Sequence, residues 1–319
     1  MILITGVTGY IGSHLALYFD KQKINYIGID NLSYSYKSNL RNKSNIFITD
    51  ISDTKKLNTL FRKFKITKVI HTAAFSYVME AEKDKKKYFE NNIIKTKKFI
   101  DLCKKKSVED FIFLSSSNVY KEKKNLKGFS ENNIPKPKNF YGKNKLEIEN
   151  YLIKKNFNKL LILRLFNIIG IFNKNFKLFK FKKINYQRLI FKLIQNIKKK
   201  KATNINYIII NKKRIFPSRD FIEITELVRI IYFLVKKSST LKYKIKILNI
   251  GSGKKTSIFK IIKIIKKRFN KDLKLKYIKM SNKELASTKA NINKLKKILN
   301  FKIKLNLNKT LGSNFNFYA

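Results

Sequence analysis

Three glycines set the strongest limit on how this chain can fold. Gly6, Gly9 and Gly12 follow a short apolar run, Ile2-Leu3-Ile4, and lead into Leu15, Leu17 and Phe19 of a helical stretch. A strand, a glycine turn and a helix fit these residues. Glycine is needed in such a turn because a side chain would hold the backbone away from a bound pyrophosphate. The phosphates then sit at the helix N-terminus, where free N–H groups and the helix dipole favour negative charge. The spacing is G-x-x-G-x-x-G rather than the G-x-G-x-x-G of the dinucleotide fingerprint. Tyr26-Ile27-Gly28-Ile29-Asp30 adds a second strand that ends in an acid. A carboxylate there accepts both hydroxyls of an adenosine ribose and repels a 2′-phosphate, so NAD is favoured over NADP.

A chain of 319 residues, 44% of them hydrophobic, can bury a large core, which argues against disorder. Its single cysteine, Cys103, excludes an internal disulfide framework and suits a reducing compartment. Met1 runs straight into the first strand, and no apolar run is long enough to span a bilayer, so the expected location is the cytoplasm. The net charge of +53 raises the question of a nucleic-acid partner. The lysines are scattered, as at Lys85 to Lys87, Lys104 to Lys106 and Lys198 to Lys201, whereas a binding face would gather them. Heavy use of Lys, Asn, Ile, Phe and Tyr reads as compositional drift, with no specific nucleic-acid or membrane partner expected.

Strand-like and helix-like stretches alternate through the first half. Ile46-Phe47-Ile48 runs into Asp50-Ile51, Val69-Ile70-His71 into Ala73-Ala74, and Phe111 to Leu114 into Ser115-Ser116-Ser117. Helical spacing is found at Leu57, Leu60, Phe61 and Phe64, and from Phe89 to Cys103. Alternation of this kind predicts a Rossmann-type, doubly wound parallel sheet with helices on both faces. Ligands in such sheets bind beyond the carboxyl ends of the strands, where Asp30, Asp50, Ala73 and Ser115 all fall. Residues 141 to 155 read as a helix and Leu160 to Phe166 as a strand. Phe172 to Lys183 reads as a connection, Ile190 to Ile197, Phe221 to Val235 and Ile258 to Phe269 as helices, and Ile245 to Ile250 as a strand. The expected division is a cofactor domain over residues 1–170, with segments such as 215–252 returning to it. Residues 171–319 then form mainly a smaller C-terminal α/β substrate domain.

Tyr141 and Lys145 lie one turn apart and share a helix face. A tyrosine hydroxyl titrates near pH 10, but an adjacent ammonium favours the phenolate and lowers that value. The pair then makes a base, and later an acid, for an alcohol undergoing hydride transfer. Ser116, at the end of a strand, can hold the same oxygen.

The stretches TGVTGYIGSH, DNL (Asp30 to Leu32), SSSNVY (Ser115 to Tyr120), YGKNK (Tyr141 to Lys145), LRLFNIIG (Leu163 to Gly170) and SRDFI (Ser218 to Ile222) resemble an extended short-chain dehydrogenase/reductase. Within that superfamily they most resemble the UDP-glucose 4-epimerases. The resemblance implies a resident NAD, a UDP-sugar substrate and a homodimer through helices near Phe89 to Cys103 and Lys143 to Lys155. It implies that Tyr141 takes the proton of the sugar's 4-hydroxyl, that Lys145 lowers the tyrosine's pKa and binds the nicotinamide ribose, and that Ser116 orients the hydroxyl. By motif position, Gly6, Gly9, Tyr10, Ile11, Gly12, Asp30, Asn31, Asp50, Ile51, Ala73, Ala74, Ser76, Asn91, Ser115 and Phe166 join Tyr141 and Lys145 around the cofactor. Asn118, Asn167 and Arg219, with Ser116 and Tyr141, would reach the UDP-sugar.

Some positions depart from the pattern. Ser76 stands where a lysine is common, and Glu223 replaces a histidine. Aligning Ala290 to Phe301 with the family's closing segment puts Ser281 where a second phosphate-binding arginine is expected, with Lys279 and Lys283 as stand-ins. The same alignment puts Thr288 where a tyrosine restricts the sugar pocket, and a small residue there would admit an N-acetyl group. A 4,6-dehydratase or decarboxylase of the same superfamily is the alternative, although a dehydratase would need an Asp-Glu pair where this chain has Ser117-Asn118. A catalytically idle Rossmann protein that binds cofactor or RNA is the rival from another class.

Overall fold

The computed structural model describes residues 1–40, 42, 44–121, 128–170, 189–242, 244–281, 285 and 287–313. The Phe172 to Lys183 connection and Lys283 lie outside that set. Six parallel strands come first: β1 (Ile2–Thr5), β2 (Tyr26–Asp30), β3 (Ile46–Ile48), β4 (Lys68–His71), β5 (Asp110–Ser116) and β6 (Lys159–Leu165). β7 (Asn167–Ile169), β8 (Thr203–Ile210), β9 (Lys213–Ile215) and β10 (Ser218–Glu223) lie outside the main sheet. β11 (Ile245–Ile250) completes that sheet beside β6, ahead of β12 (Lys255–Ser257) and β13 (Leu275–Lys279).

The seven strands run in the order β11-β6-β5-β4-β1-β2-β3, all parallel. β1, β2 and β5 are buried along their whole length, as strands covered by helices on both faces must be. The chain builds outward from β1 to β3, then crosses to β4 on the other side of β1. That reversal opens a crevice beyond the carboxyl ends of β1 and β4, where ligands bind in open parallel sheets.

The helices covering the sheet begin with α1 (Tyr10–Lys21), α2 (Thr54–Lys63), α3 (Val78–Lys83) and α4 (Lys85–Phe89). They continue with α5 (Thr96–Lys105), α6 (Phe140–Lys154), α7 (Leu189–Lys198), α8 (Ile224–Lys236) and α9 (Ile258–Phe269). Side-chain caps fix several of the starts, those of α2, α4, α6 and α9. Asp53 accepts the N–H of Lys56 at 3.1 Å ahead of α2, and Asn139 accepts that of Gly142 at 2.7 Å ahead of α6.

Two elements differ from expectation. Phe221 to Val235 is not one helix, because Phe221, Ile222 and Glu223 pair in parallel with Asn167, Ile168 and Ile169 in a small second sheet. Helical geometry starts only at Ile224. Phe89 to Cys103 is not uniformly α-helical either, since Glu90–Lys95 forms a π-helical segment between α4 and α5. The wider turn points Asn92 at the loop after β4. There its side chain accepts the N–H of Phe75 and donates to its carbonyl, both at 2.9 Å.

Candidate active site

The glycine turn sits where β1 hands over to α1, at the reversal of the sheet. Gly6 has φ +65, and a Cβ placed on it would lie 2.7 Å from Ala73 Cα. A Cβ on Gly12 would lie 2.2 Å from the Gly6 carbonyl oxygen. These two glycines are therefore required by the chain's own close packing, quite apart from any ligand. Around Gly9 the space is more open, the nearest heavy atom to an added Cβ being the Gly6 oxygen at 3.2 Å. Gly9 is also the N-cap of α1, with no side-chain bond across that helix start. An anion-binding helix terminus thus opens onto a cavity.

One end of that cavity is acidic. Asp30 lines it and is buried, its carboxylate accepting the N–H of Thr8 at 3.0 Å and of Leu32 at 2.8 Å. These bonds fix the carboxylate at the end of β2. Asn31 lines the cavity and donates to Asp50 at 2.7 Å, while Lys95 reaches the same Asp50 oxygen at 3.0 Å. Burial opposes ionisation of Asp50, but bonds from the Ser52 hydroxyl and N–H, Asn31 and Lys95 outweigh it and hold the carboxyl down at about 2. Asp50 itself lies behind the lining, and its neighbour Ile51 faces the space.

The other end carries Tyr141, Lys145 and Ser115 together with Gly6, Gly9, Tyr10, Ile11 and Gly12. Tyr141 is 7% exposed, and the Lys145 ammonium nitrogen lies 5.9 Å from the centre of its ring. Lys145 donates to the Leu114 carbonyl at 2.8 Å and stands 4.6 Å from the centre of the Phe113 ring. Burial pushes Lys145 down to about 7, against the attraction of the Glu149 carboxylate one turn along. Ser115 donates to Glu149, which forms a buried ion pair with Arg164 at 2.7 Å. Arg164 donates to Tyr120 at 3.0 Å, and Tyr120 to Asn249 on β11 at 2.7 Å. This polar chain ties α6 to the far edge of the sheet.

Of the residues singled out from sequence, Ala73 and Asn91 also line the acidic end, Ser76 the Tyr141 end, and Ala74 both. Besides Asp50, five others lie outside that lining. Ser116 accepts the N–H and side-chain amide of Asn118, at 3.2 and 3.1 Å. Phe166 packs its ring 6.4 Å from that of Phe129, and Leu165 faces the cavity in its place. Asn167 and Arg219 sit on β7 and β10, and Arg219 donates to the Ser218 carbonyl at 3.1 Å. Tyr34, Phe75 and Glu80 also line the cavity, without a motif to announce them. Their one sequence signal is place, since Tyr34 and Phe75 follow closely on the strand ends Asp30 and His71.

A dinucleotide asks for a bare helix N-terminus at its pyrophosphate, an acid at its adenosine ribose and a proton-handling group at its nicotinamide end. Gly9 at the start of α1, Asp30, and Tyr141 with Lys145 meet these needs respectively, with Gly9 lining both the Asp30 end and the Tyr141 end of one crevice, so these residues fit NAD.

The chain is similar to known proteins. A family model described as the NAD dependent epimerase/dehydratase family matches residues 2–251. The dTDP-D-glucose 4,6-dehydratase of Dictyostelium discoideum is 38% identical over 129 residues, 37% of this chain and 29% of that protein. The UDP-glucose 4-epimerase of Halalkalibacterium halodurans is 35% identical over 148 residues, 46% of this chain and 44% of that one. The chain thus spans less than half the length of either relative. A crystal structure of a UDP-glucose 4-epimerase superposes with a TM-score of 0.89 over 99% of this chain and 96% of that one, at 23% identity. That likeness shows a shared Rossmann-type fold. Among the described residues, no helix is long and apolar enough to cross a membrane.

Proposed function

The chain belongs to the NAD dependent epimerase/dehydratase family, and from that premise we propose that it interconverts the 4-epimers of a UDP-hexose through a transient 4-keto sugar. The observation that carries this reading is that Tyr141 and Lys145 line the same cavity as the glycine turn. When bound, NAD supplies reversible uptake and return of a hydride.

The chain's own residues do the rest. Gly6, Gly9, Tyr10, Ile11 and Gly12 hold the pyrophosphate at the start of α1. Asp30 and Asn31 hold the adenosine ribose, Asp50 and Ile51 the adenine side, and Ala73, Ala74, Ser76 and Asn91 line the cofactor along the crevice. Tyr141 takes the proton from the sugar's 4-hydroxyl and gives it back after the keto sugar has turned over. Lys145 stabilises the phenolate by its charge and binds the nicotinamide ribose. Ser115 and Phe166 belong to the cofactor side, Ser116 orients the sugar's hydroxyl and Asn118 contacts the sugar. Asn167 and Arg219 bind the UDP-sugar, the guanidinium pairing with its diphosphate. Residues 171–319 form most of the sugar-nucleotide side, and residues 1–170 the cofactor side.

Thr288 is buried beside β10, 3.4 Å from the N–H of Asp220. By the family alignment it stands where a tyrosine restricts the sugar pocket, and a small residue there would leave room for an N-acetyl group, so the N-acetylated pair of sugars joins the proposed substrates. Epimerisation is preferred to dehydration because Asn118 follows Ser116 and Ser117, and offers no acid to expel water. Incubation with UDP-galactose or UDP-N-acetylgalactosamine, without added NAD, tests the proposal. The matching 4-epimer is expected, and a 4-keto-6-deoxy product would favour the dehydratase.

We also propose a homodimer in a cytoplasmic setting. Phe89, Ile94 and Ile153 are exposed apolar side chains on the helical segments suggested for pairing. With +53 charges per chain, the dimer should weaken as salt is lowered. Sedimentation that gives a monomer at every ionic strength would remove it.

A further inference from the structure

Tyr34 and Phe75 come from opposite sides of the sheet reversal. Tyr34 lies in the loop after β2, and Phe75 in the loop after β4. Their rings meet edge to face, 4.5 Å apart at 80°. Both line the adenosine end of the crevice and the Tyr141 end, so the pair stands where the two ends join. The contact has a polar lock behind it. The Tyr34 hydroxyl donates to Glu80 Oε1 on α3 at 2.8 Å, and Lys87 on α4 reaches the same oxygen at 2.8 Å. The Lys87 ammonium also sits 5.2 Å from the centre of each ring, within range for attraction to both aromatic faces. The Tyr88 hydroxyl lies 2.9 Å from the second Glu80 oxygen. Asn92 in the π-helical segment pins Phe75 through both its backbone N–H and its carbonyl. Burial pushes the Tyr34 hydroxyl up to about 12, so it stays a neutral donor to Glu80 at physiological pH.

We propose that Tyr34 and Phe75 form an aromatic clasp across the crevice, locked by Glu80 and Lys87, that controls how long the dinucleotide stays bound. The proposal rests on the reading that this crevice holds NAD. A glycine cradle open to solvent lets a dinucleotide leave, whereas a bridge between its two walls must open first. Retention also suits the proposed chemistry. An epimerisation has no net redox change, so the same cofactor serves every cycle and need not exchange.

The test is the release rate of NADH, followed by its fluorescence after displacement with excess NAD. Wild type is compared with Tyr34→Ala, Tyr34→Phe and Lys87→Ala. Loss of a hydrogen bond to a charged group together with the ring contact should speed release from Tyr34→Ala about tenfold or more. Tyr34→Phe keeps the ring and loses the lock, so it should fall between Tyr34→Ala and wild type, and Lys87→Ala should also release faster. The Lys87 side chain is 41% exposed, so its variant and Tyr34→Phe decide the matter if Tyr34→Ala fails to fold. Release at the wild-type rate from the folded variants overturns the clasp. Wild type that binds no NADH at all overturns the proposed function, and the clasp with it.

Discussion

Tyr141→Phe should lower kcat by roughly 100- to 10,000-fold, the range for loss of one positioned acid–base group. The phenol ring fills a buried place at the start of α6 and packs with Ala81 and Tyr88, contacts that phenylalanine keeps. Fold and cofactor content should therefore survive, and only proton transfer should fail. Steady-state kinetics, with NAD released from the denatured variant as a control, check this. A variant that retains its cofactor and turns over within tenfold of wild type would exclude Tyr141 as the base. A pH dependence belongs to the same prediction. Because burial holds Lys145 down at about 7, the Tyr141–Lys145 pair loses its first proton near neutrality. Above that pH the remaining proton can sit on either group, since phenol with amine and phenolate with ammonium carry the same charge. The phenolate that accepts the sugar's proton is populated only there, so kcat/KM should rise as pH is raised through about 7.

Glu149→Ala should cost about 3–5 kcal/mol of stability, the penalty for removing one partner of a buried ion pair. The side chains of Arg164 and Glu149 are 3% and 1% exposed, and three hydrogen bonds at 2.7 to 3.2 Å join them. Alanine would leave a guanidinium buried beside Tyr120 and free the Ser115 hydroxyl from its acceptor. Urea unfolding should place the midpoint well below wild type. The double variant Glu149→Met with Arg164→Met should recover much of the loss, because no unpaired charge remains. A single variant that unfolds within 1 kcal/mol of wild type would contradict the buried pair. Activity should fall alongside stability, because Glu149 also helps to keep Lys145 charged.

The two predictions differ in how far the sequence alone leads to them. The glycine stretch, Asp30 and the Tyr141–Lys145 pair are legible because each depends on local spacing, a turn, a strand end or one turn of helix. The small sheet of β7, β10 and β12 is not. Its strands are short and pair residues far apart in sequence, as Phe221 does with Asn167, so Phe221 to Glu223 reads as the opening of the helix that follows. The π-helical segment hides for a similar reason, since Asn92 leaves α-geometry to bind a loop near Phe75. The glycines were legible in position but only partly in cause. Gly6 and Gly12 answer to the backbone of Ala73 and of the turn itself, whereas around Gly9 only the Gly6 oxygen, at 3.2 Å, would crowd an added Cβ, which leaves the rest of that side for a phosphate contact. Glu149 and Arg164 carry no motif that separates a buried pair from a solvated one. Tyr34 and Glu80 meet only because the sheet order brings the loop after β2 against α3.

The central claim is that a sugar hydroxyl is oxidised and reduced again in one crevice, with Tyr141 handling the proton and a resident NAD the hydride. The most direct measurement converts UDP-galactose carrying deuterium at C4, without added NAD, and asks where the label ends. Deuterium retained at C4 of the UDP-glucose formed is the expected result. Label lost to solvent, or no conversion of this sugar or its N-acetylated counterpart by protein that holds NAD, would contradict it.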